Sequence, residues 1–314
     1  MKLIRGIHNL RPVHRGCVAS IGNYDGMHLG HQQVLTQLVD RARQFRLPSL
    51  VMCFEPTPRE FFTGDKAPMR LSSFREKFQL VAEQGVDRFF CVRFNAEVAA
   101  MEPGEFIRHL LVEGIGVRHL VVGDDFRFGH NRAGDFQTLA RAGQEFGFAV
   151  DDTPSYSVVG ERVSSTAVRD ALAQGDMARS RLLLGRDYAI SGRVVHGERL
   201  GRQLGFPTAN IPIGHRSSPL RGVFAVRVGG LGPVRDAVAN LGTRPTVDGA
   251  EMLLEVHIFD FAETIYGKRI DVEFVHKLRD EERFENIEAM TRQLERDARQ
   301  ARQLLGQSPE KELR

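Results

Sequence analysis

What most restricts the fold of this chain is a break in its hydrophobic rhythm near Asp187. Before it, from 16 to 175, short β-branched or aromatic runs at 17–22, 50–55, 88–94, 118–123 and 148–151 alternate with amphipathic runs at 29–45, 72–84, 104–114, 134–146 and 165–173. Such alternation predicts a mostly parallel, doubly wound α/β sheet, because each crossover between parallel strands needs room for a helix. In the first helix Val34, Leu35, Leu38, Val39 and Ala42 recur at three- and four-residue steps, giving one apolar stripe for that sheet. After the break, strands at 188–195, 222–228, 234–241, 251–259 and 269–275 follow one another with only Gly- and Pro-containing turns between them, which predicts an antiparallel barrel or sandwich. Helical spacing returns over 286–305, with Asn286 as its cap.

The boundary falls in 175–186, where Leu182, Leu183 and Leu184 indicate packed chain rather than a free linker. The expected domains are 1–184 and 185–306, followed by a polar tail at 307–314. At 314 residues with 42% hydrophobic and 26% charged content, both domains can bury a core. No apolar run approaches the ~18 to 20 residues that cross a bilayer, and the start Met-Lys-Leu-Ile-Arg-Gly has no signal-peptide core, so the expected compartment is the cytoplasm. Cys17, Cys53 and Cys91 each lie inside an apolar run and read as small buried hydrophobes. The absence of Cys-x-x-Cys removes the usual start of a structural zinc site. A net charge of +3 suits phosphorylated ligands but is too small and scattered to call for nucleic acid.

Immediately after the first strand comes Gly22-Asn23-Tyr24-Asp25-Gly26-Met27-His28-Leu29-Gly30-His31. Glycines there allow a tight turn and close approach to a ligand, and the open amides at a helix start favour phosphate. His28 and His31, three apart, share one face and can aim at the same phosphate; the same spacing also serves a metal pair. Neither a Walker A loop nor Gly-x-Gly-x-x-Gly occurs. Two further segments point to the same edge. Gly123-Asp124-Asp125-Phe126-Arg127-Phe128-Gly129 ends the fourth strand, and Ser164-Ser165-Thr166-Ala167-Val168-Arg169 opens a helix with three hydroxyls and an Arg one turn on.

The decapeptide resembles the HxGH signature of the nucleotidyltransferases, in which the histidines stabilise charge on the α-phosphate of a nucleoside triphosphate. With the two later segments, the stretch from Gly16 to Leu184 is similar to the adenylyltransferase half of the bacterial bifunctional riboflavin kinase/FAD synthetases. Tyr24 stands where that family usually has Phe. The resemblance implies a Rossmann-like nucleotidyltransferase domain, with nucleotide held by Gly22, Asn23, Tyr24, Asp25, Gly30, Ser164, Ser165 and Thr166, and flavin by Asp124, Asp125 and Phe126. It also implies that His28, His31 and Arg169 carry the chemistry.

The second half contains Gly197-Glu198-Arg199-Leu200-Gly201-Arg202-Gln203-Leu204-Gly205-Phe206-Pro207-Thr208-Ala209-Asn210. Glycines with basic residues between them can wrap phosphates, and Thr208 and Asn210 offer neutral oxygens of the kind that bind Mg²⁺ beside a nucleotide. The string closely resembles the flavokinase motif GRxLGFPTAN. The likeness continues through Gly222–Val226, Asn240–Val247, Leu254–Phe261 and Lys277–Phe284. It implies a β-barrel flavokinase domain with a terminal helix, nucleotide on Gly201, Gly205 and Pro207, metal on Thr208 and Asn210, and Glu255 as general base. Arg279, Glu282 and Phe284 then help to close over flavin, and His257 is structural.

The expected enzyme phosphorylates riboflavin to FMN and adenylylates FMN to FAD, using ATP and Mg²⁺ at both steps, as a monomer or weak homo-oligomer with small-molecule partners. Three other readings compete with it. A nucleotidyltransferase for another phosphorylated metabolite would keep the HxGH crevice, a regulatory flavin- or nucleotide-binding module would have lost the chemistry, and an RNA-binding protein has only the pI in its favour.

Overall fold

The computed structural model describes residues 1–197, 205–214, 218–246 and 249–306. They form two compact units, one of Met1–Pro68 with Ser72–Ser165 and one of Met69–Leu71 with the chain from Thr166. The expected tail at 307–314 and Gly201 lie outside the described residues.

The first unit is built on strands β1 (Lys2–Arg5), β2 (Cys17–Ile21), β3 (Ser49–Glu55), β4 (Arg88–Arg93), β5 (Val117–Gly123) and β6 (Ala149–Thr153). They pair in parallel in the order β1-β4-β3-β2-β5-β6. Helices α1 (Leu29–Phe45), α2 (Pro58–Thr63), α3 (Phe74–Glu83), α4 (Ala96–Ala100), α5 (Pro103–Phe106), continued by a π-helical stretch Ile107–Gly114, and α6 (Phe136–Phe146) connect them. The sheet has a core on each face. Cys17, Ala19 and Ile21 look toward Leu110, Leu111 and Leu139, while Val18, Val51 and Cys53 look toward Leu35, Leu38 and Ala42 of α1. Two packed faces explain why all five residues of β2 are buried rather than every second one.

The chain leaves β2 for β3 and β4, then crosses back to place β5 on the other side of β2. That reversal opens a crevice beyond the carboxyl ends of β2 and β5, the ordinary ligand site of such sheets. The edge strand β1 carries no sequence signal, since only Ile4 of its four residues is buried. All three cysteines are free and buried, and burial pushes the Cys17 thiol up to about 12. A small hairpin, β7 (Ser157–Val158) with β8 (Glu161–Arg162), precedes helix α7 (Ser165–Gln174).

In the second unit α7, from Thr166, and α8 (Met177–Leu184) lead into β9 (Tyr188–Arg193), β10 (Ala209–Gly214), β11 (Gly222–Gly229), β12 (Arg235–Thr246), β13 (Gly249–Ile258) and β14 (Arg269–Arg279). These pair antiparallel in the order β10-β13-β12-β11-β14-β9. A bridge between Val195, just beyond β9, and Asn210 of β10 joins the two ends of that order, so the sheet closes on itself as a barrel rather than splitting into a sandwich. The terminal helix α9 (Ile287–Gly306) lays Ala301 and Leu305 against Val223, Ala225, Val238 and Val275 on the barrel's outer face. Its start is capped as its sequence indicates, with Ala289 N–H donating to Asn286 Oδ1 at 2.8 Å.

Candidate functional sites

In the first unit the loop after β2 is shaped by its own residues. Tyr24 and Met27 adopt positive φ (48° and 45°) and are buried, as are Asp25 and His28. The Tyr24 hydroxyl donates to Ser20 Oγ at 2.6 Å, and Ser20 Oγ in turn donates to the Val121 carbonyl of β5 at 2.6 Å. Burial holds that phenol well above its ordinary range. Gly22 lies against the Tyr24 ring, where a Cβ would sit 3.0 Å from Cε2. Asp25 Oδ1 accepts from Ser72 N–H at 3.0 Å and from Ser72 Oγ at 3.2 Å, and Gly26 N–H donates to Ser72 Oγ at 3.1 Å. Tyr24 and Asp25 thus brace the loop with their side chains, whereas Asn23 is exposed.

His28 caps α1: its Nδ1 accepts the His31 N–H at 3.3 Å, and the two imidazoles stack at 3.6 Å between centroids. Because Nδ1 accepts, neutral His28 carries its proton on Nε2, leaving that nitrogen a donor. Tyr24 lies 5.2 Å from the His31 ring on the other side. Gly30 sits where a Cβ would come within 3.3 Å of the His28 ring and 3.7 Å of the Val163 carbonyl. Ser165 Oγ donates to the Asp25 carbonyl at 3.0 Å, so the chain at 163–165 meets the histidine loop. Ser164 is half-buried and Thr166 exposed. Arg169, in the second unit, donates from Nε to the Met69 carbonyl at 2.6 Å.

The acidic pair after β5 is engaged within the same unit. Asp124 accepts from Ser155 N–H at 2.8 Å and from Ser155 Oγ, and Arg162 reaches Asp125 at 2.7 Å. Partial burial would raise the Asp124 carboxyl, but the Ser155 donors and the Arg162 charge outweigh it and hold the group below its ordinary value. Phe126 stacks on Phe128 at 5.6 Å, and Phe128 is buried against Phe106.

In the second unit strand register assembles the residues. Glu255 of β13 has Asn210 of β10 as its partner on one side and Asn240 of β12 on the other. Asn210 is buried, and its Nδ2 donates to the Thr208 carbonyl at 3.4 Å. Gly197 leaves room for it, since a Cβ there would fall 2.5 Å from Asn210 Nδ2. His257 Nδ1 hydrogen-bonds the Pro207 carbonyl at 2.9 Å, and its ring meets Phe206 edge-on, anchoring the segment that carries Thr208. Gly205 and Pro207 are exposed beside it, and Thr208 is half-buried.

Two partners of this group had no role in the sequence reading. Arg244 Nη2 donates to Glu255 Oε2 at 2.5 Å. Asn240 Nδ2 donates to Glu281 Oε1 at 3.3 Å, and Gly242 makes space for that carboxylate. Register sets Arg244 opposite Glu251 and Glu255 opposite Asn240, and Glu281 lies beyond β14, so both links depend on the reach of side chains rather than on strand pairing. Arg279 is clamped by Asp297 of α9 through contacts of 2.8–3.1 Å, with Glu282 at 3.4 Å and the Phe284 ring 5.7 Å away.

Among the described residues no cluster of three or more His, Cys, Asp or Glu could hold a metal by itself. Thr208 and Asn210 supply neutral oxygens only, a donor set that fits Mg²⁺ arriving with the phosphates of a nucleotide.

Residues 10–167 match the FAD synthetase family and residues 184–305 the riboflavin kinase family. Over 309 residues the chain is 50% identical to the bifunctional riboflavin kinase/FMN adenylyltransferase of Escherichia coli (strain K12), covering 98% of each. It is 49% identical to the protein of that name from Pseudomonas fluorescens, over 98% of this chain and 99% of that one. A solved structure described as a macrolide-efflux protein from Streptococcus pneumoniae is similar with a TM-score of 0.83 and 27% identity, over 96% of this chain and 99% of that one. Among the described residues no helix is long and apolar enough to cross a membrane.

Proposed function

The chain belongs to the bifunctional riboflavin kinase/FMN adenylyltransferase family, and on that basis we propose that it makes FMN from riboflavin and ATP, then FAD from FMN and a second ATP. The observation that carries this reading is that each half matches one of the two activities separately while the bifunctional relatives align along nearly the whole chain.

In the kinase step Glu255 accepts the proton of the riboflavin 5′-hydroxyl as that oxygen attacks the γ-phosphorus and ADP departs. Thr208 and Asn210 would hold Mg²⁺, which would neutralise phosphate charge, and Gly201, Gly205 and Pro207 would border the nucleotide. Arg279, Glu282 and Phe284 flank the flavin, with Arg279 placed by Asp297. In the adenylylation step an FMN phosphate oxygen, already anionic, attacks the α-phosphorus and pyrophosphate leaves, so no general base is needed. His28, with its Nε2 proton, His31 and Arg169 stabilise the charge that develops. Gly22, Asn23, Gly30, Ser164, Ser165 and Thr166 border the nucleotide around the scaffold of Tyr24 and Asp25, and Asp124, Asp125 and Phe126 border the flavin. The reading places the enzyme in the cytoplasm, as a monomer or weak homo-oligomer acting on small molecules.

The test is a time course with purified protein, riboflavin, ATP and Mg²⁺, resolved by chromatography. FMN appearing first and FAD after it is the expected result; untouched riboflavin refutes the reading.

A further inference from the structure

The reading of Glu255 as a base leaves one contact unexplained. Its Oε2 lies 2.5 Å from the Arg244 guanidinium, so a cation occupies an oxygen that should receive a proton from riboflavin. Such a charge-assisted contact is strong, and while it holds the guanidinium stands where a hydroxyl would have to approach Oε2. Yet the pair is not locked in. The Glu255 side chain is 18% exposed and that of Arg244 54% exposed, so the guanidinium sits at the open side. The carboxylate's strand neighbour is Asn210, adjacent in sequence to the turn bearing Thr208, where the same reading places the nucleotide phosphates. A phosphate chain carries more negative charge than a single carboxylate and accepts the planar guanidinium fork equally well.

We propose that Arg244 is a catalytic residue of the kinase step that exchanges partners: it pairs with Glu255 while the site is empty and transfers to the γ-phosphate of bound ATP. One movement then frees the base and places a cation on the group being transferred. The bonds made and broken remain those of the kinase step, with the hydroxyl proton passing to Glu255 and the phosphoryl group to the riboflavin oxygen. The inference rests on the reading of Glu255 as the base.

The test uses the full chain and the variants R244Q, R244K and E255Q. Adenylylation of supplied FMN is followed in each to establish that the fold is intact. R244Q should lower kcat for FMN formation by on the order of 10²-fold or more and raise the KM for ATP but not for riboflavin, with R244K recovering part of the loss. Equilibrium binding of a non-hydrolysable ATP analogue with Mg²⁺ supplies the decisive sign. R244Q should bind it more weakly than the native chain, and E255Q, in which the Glu255 carboxylate no longer competes with phosphate for the guanidinium, more tightly. A merely structural ion pair would shift thermal stability in both variants without moving affinity in opposite directions. The inference is overturned if R244Q keeps its kcat and ATP KM beside an inactive E255Q, or if both variants change affinity in the same direction. If E255Q keeps its FMN-forming kcat, the underlying assignment of the base falls instead.

Discussion

His28 and His31 are joined twice, by the His31 amide donating to His28 Nδ1 and by their stacked rings. His28 is therefore both the cap of α1 and, through Nε2, a donor, and the two duties separate by substitution. His28→Asn keeps a capping side chain but removes the imidazole donor, so FAD formation from FMN should fall by about 10² to 10³ while thermal stability changes little. His28→Ala should lose the activity and, in addition, about 1 kcal/mol of stability with the cap. FMN formation from riboflavin should persist in both. A melting curve beside the two chromatographic assays checks all three outcomes.

Gly197 lies where a Cβ would meet the Asn210 amide at 2.5 Å. Gly197→Ala should push that side chain out of place, raising the KM for ATP in FMN formation by roughly tenfold, a displacement of the kind that costs strongly in oriented sites. FAD formation from supplied FMN should be untouched.

Ser72 holds the histidine loop from 46 or 47 residues away, accepting from Gly26 and donating twice to Asp25. Ser72→Ala leaves Gly26 N–H without this acceptor and Asp25 with only the backbone donor from residue 72. A loss of about 1 to 3 kcal/mol is expected, read by denaturant unfolding, together with a lower rate of FAD formation.

Arg279 is expected to matter first for stability. Asp297 is 2% exposed, so Arg279→Ala leaves a buried carboxylate without its cation and with the neutral Gln293 amide still donating to it, at a cost of about 3–5 kcal/mol. The double variant Arg279→Met with Asp297→Leu should recover most of the lost stability. Flavin affinity measured in that recovered protein then reports what Arg279 does beyond holding α9.

Acid should weaken the first unit through Asp151. Partial burial would raise this carboxyl, but the Arg41 hydrogen bond at 2.7 Å and the nearby His119 outweigh it and hold the group below its ordinary value of 3.8. A depressed folded value means that the stabilisation is whole above the unfolded value and is lost as pH falls through the folded one. The difference in Tm between the native chain and Asp151→Asn should therefore shrink as pH is lowered from about 5 to about 3.

The long helices and buried strands were legible because burial leaves a period behind it. The α1 span 29–45 follows from its apolar stripe, and the strand-only rhythm after Asp187 carries the second unit. What stayed hidden has little periodicity of its own. β10, Ala209–Gly214, includes Pro212 and runs into a glycine, so it reads as the end of a turn although it carries Asn210. β12 continues past the expected 234–241 to Thr246 through Gly242 and Pro245, residues that sequence reasoning treats as breaks. That extension is what brings Arg244 onto the same wall as Glu255. The motif residues could be picked out one by one, but the clamps from Ser72 and Asp297 and the reach of Arg244 depend on register and long-range closure.

The bridge between Val195 and Asn210 also bears on how this barrel avoids its own kind. A sheet is open to recruitment by a foreign strand wherever its first and last strands fail to meet, and here they meet at the backbone of Asn210, with Val195 N–H donating to its carbonyl at 2.8 Å. The residue proposed as a metal ligand is thus also a stitch in the seam that denies other chains an edge. Substitutions that alter only its side chain can silence the enzyme and leave the seam sewn, whereas a change that lifts its backbone opens the molecule to self-association.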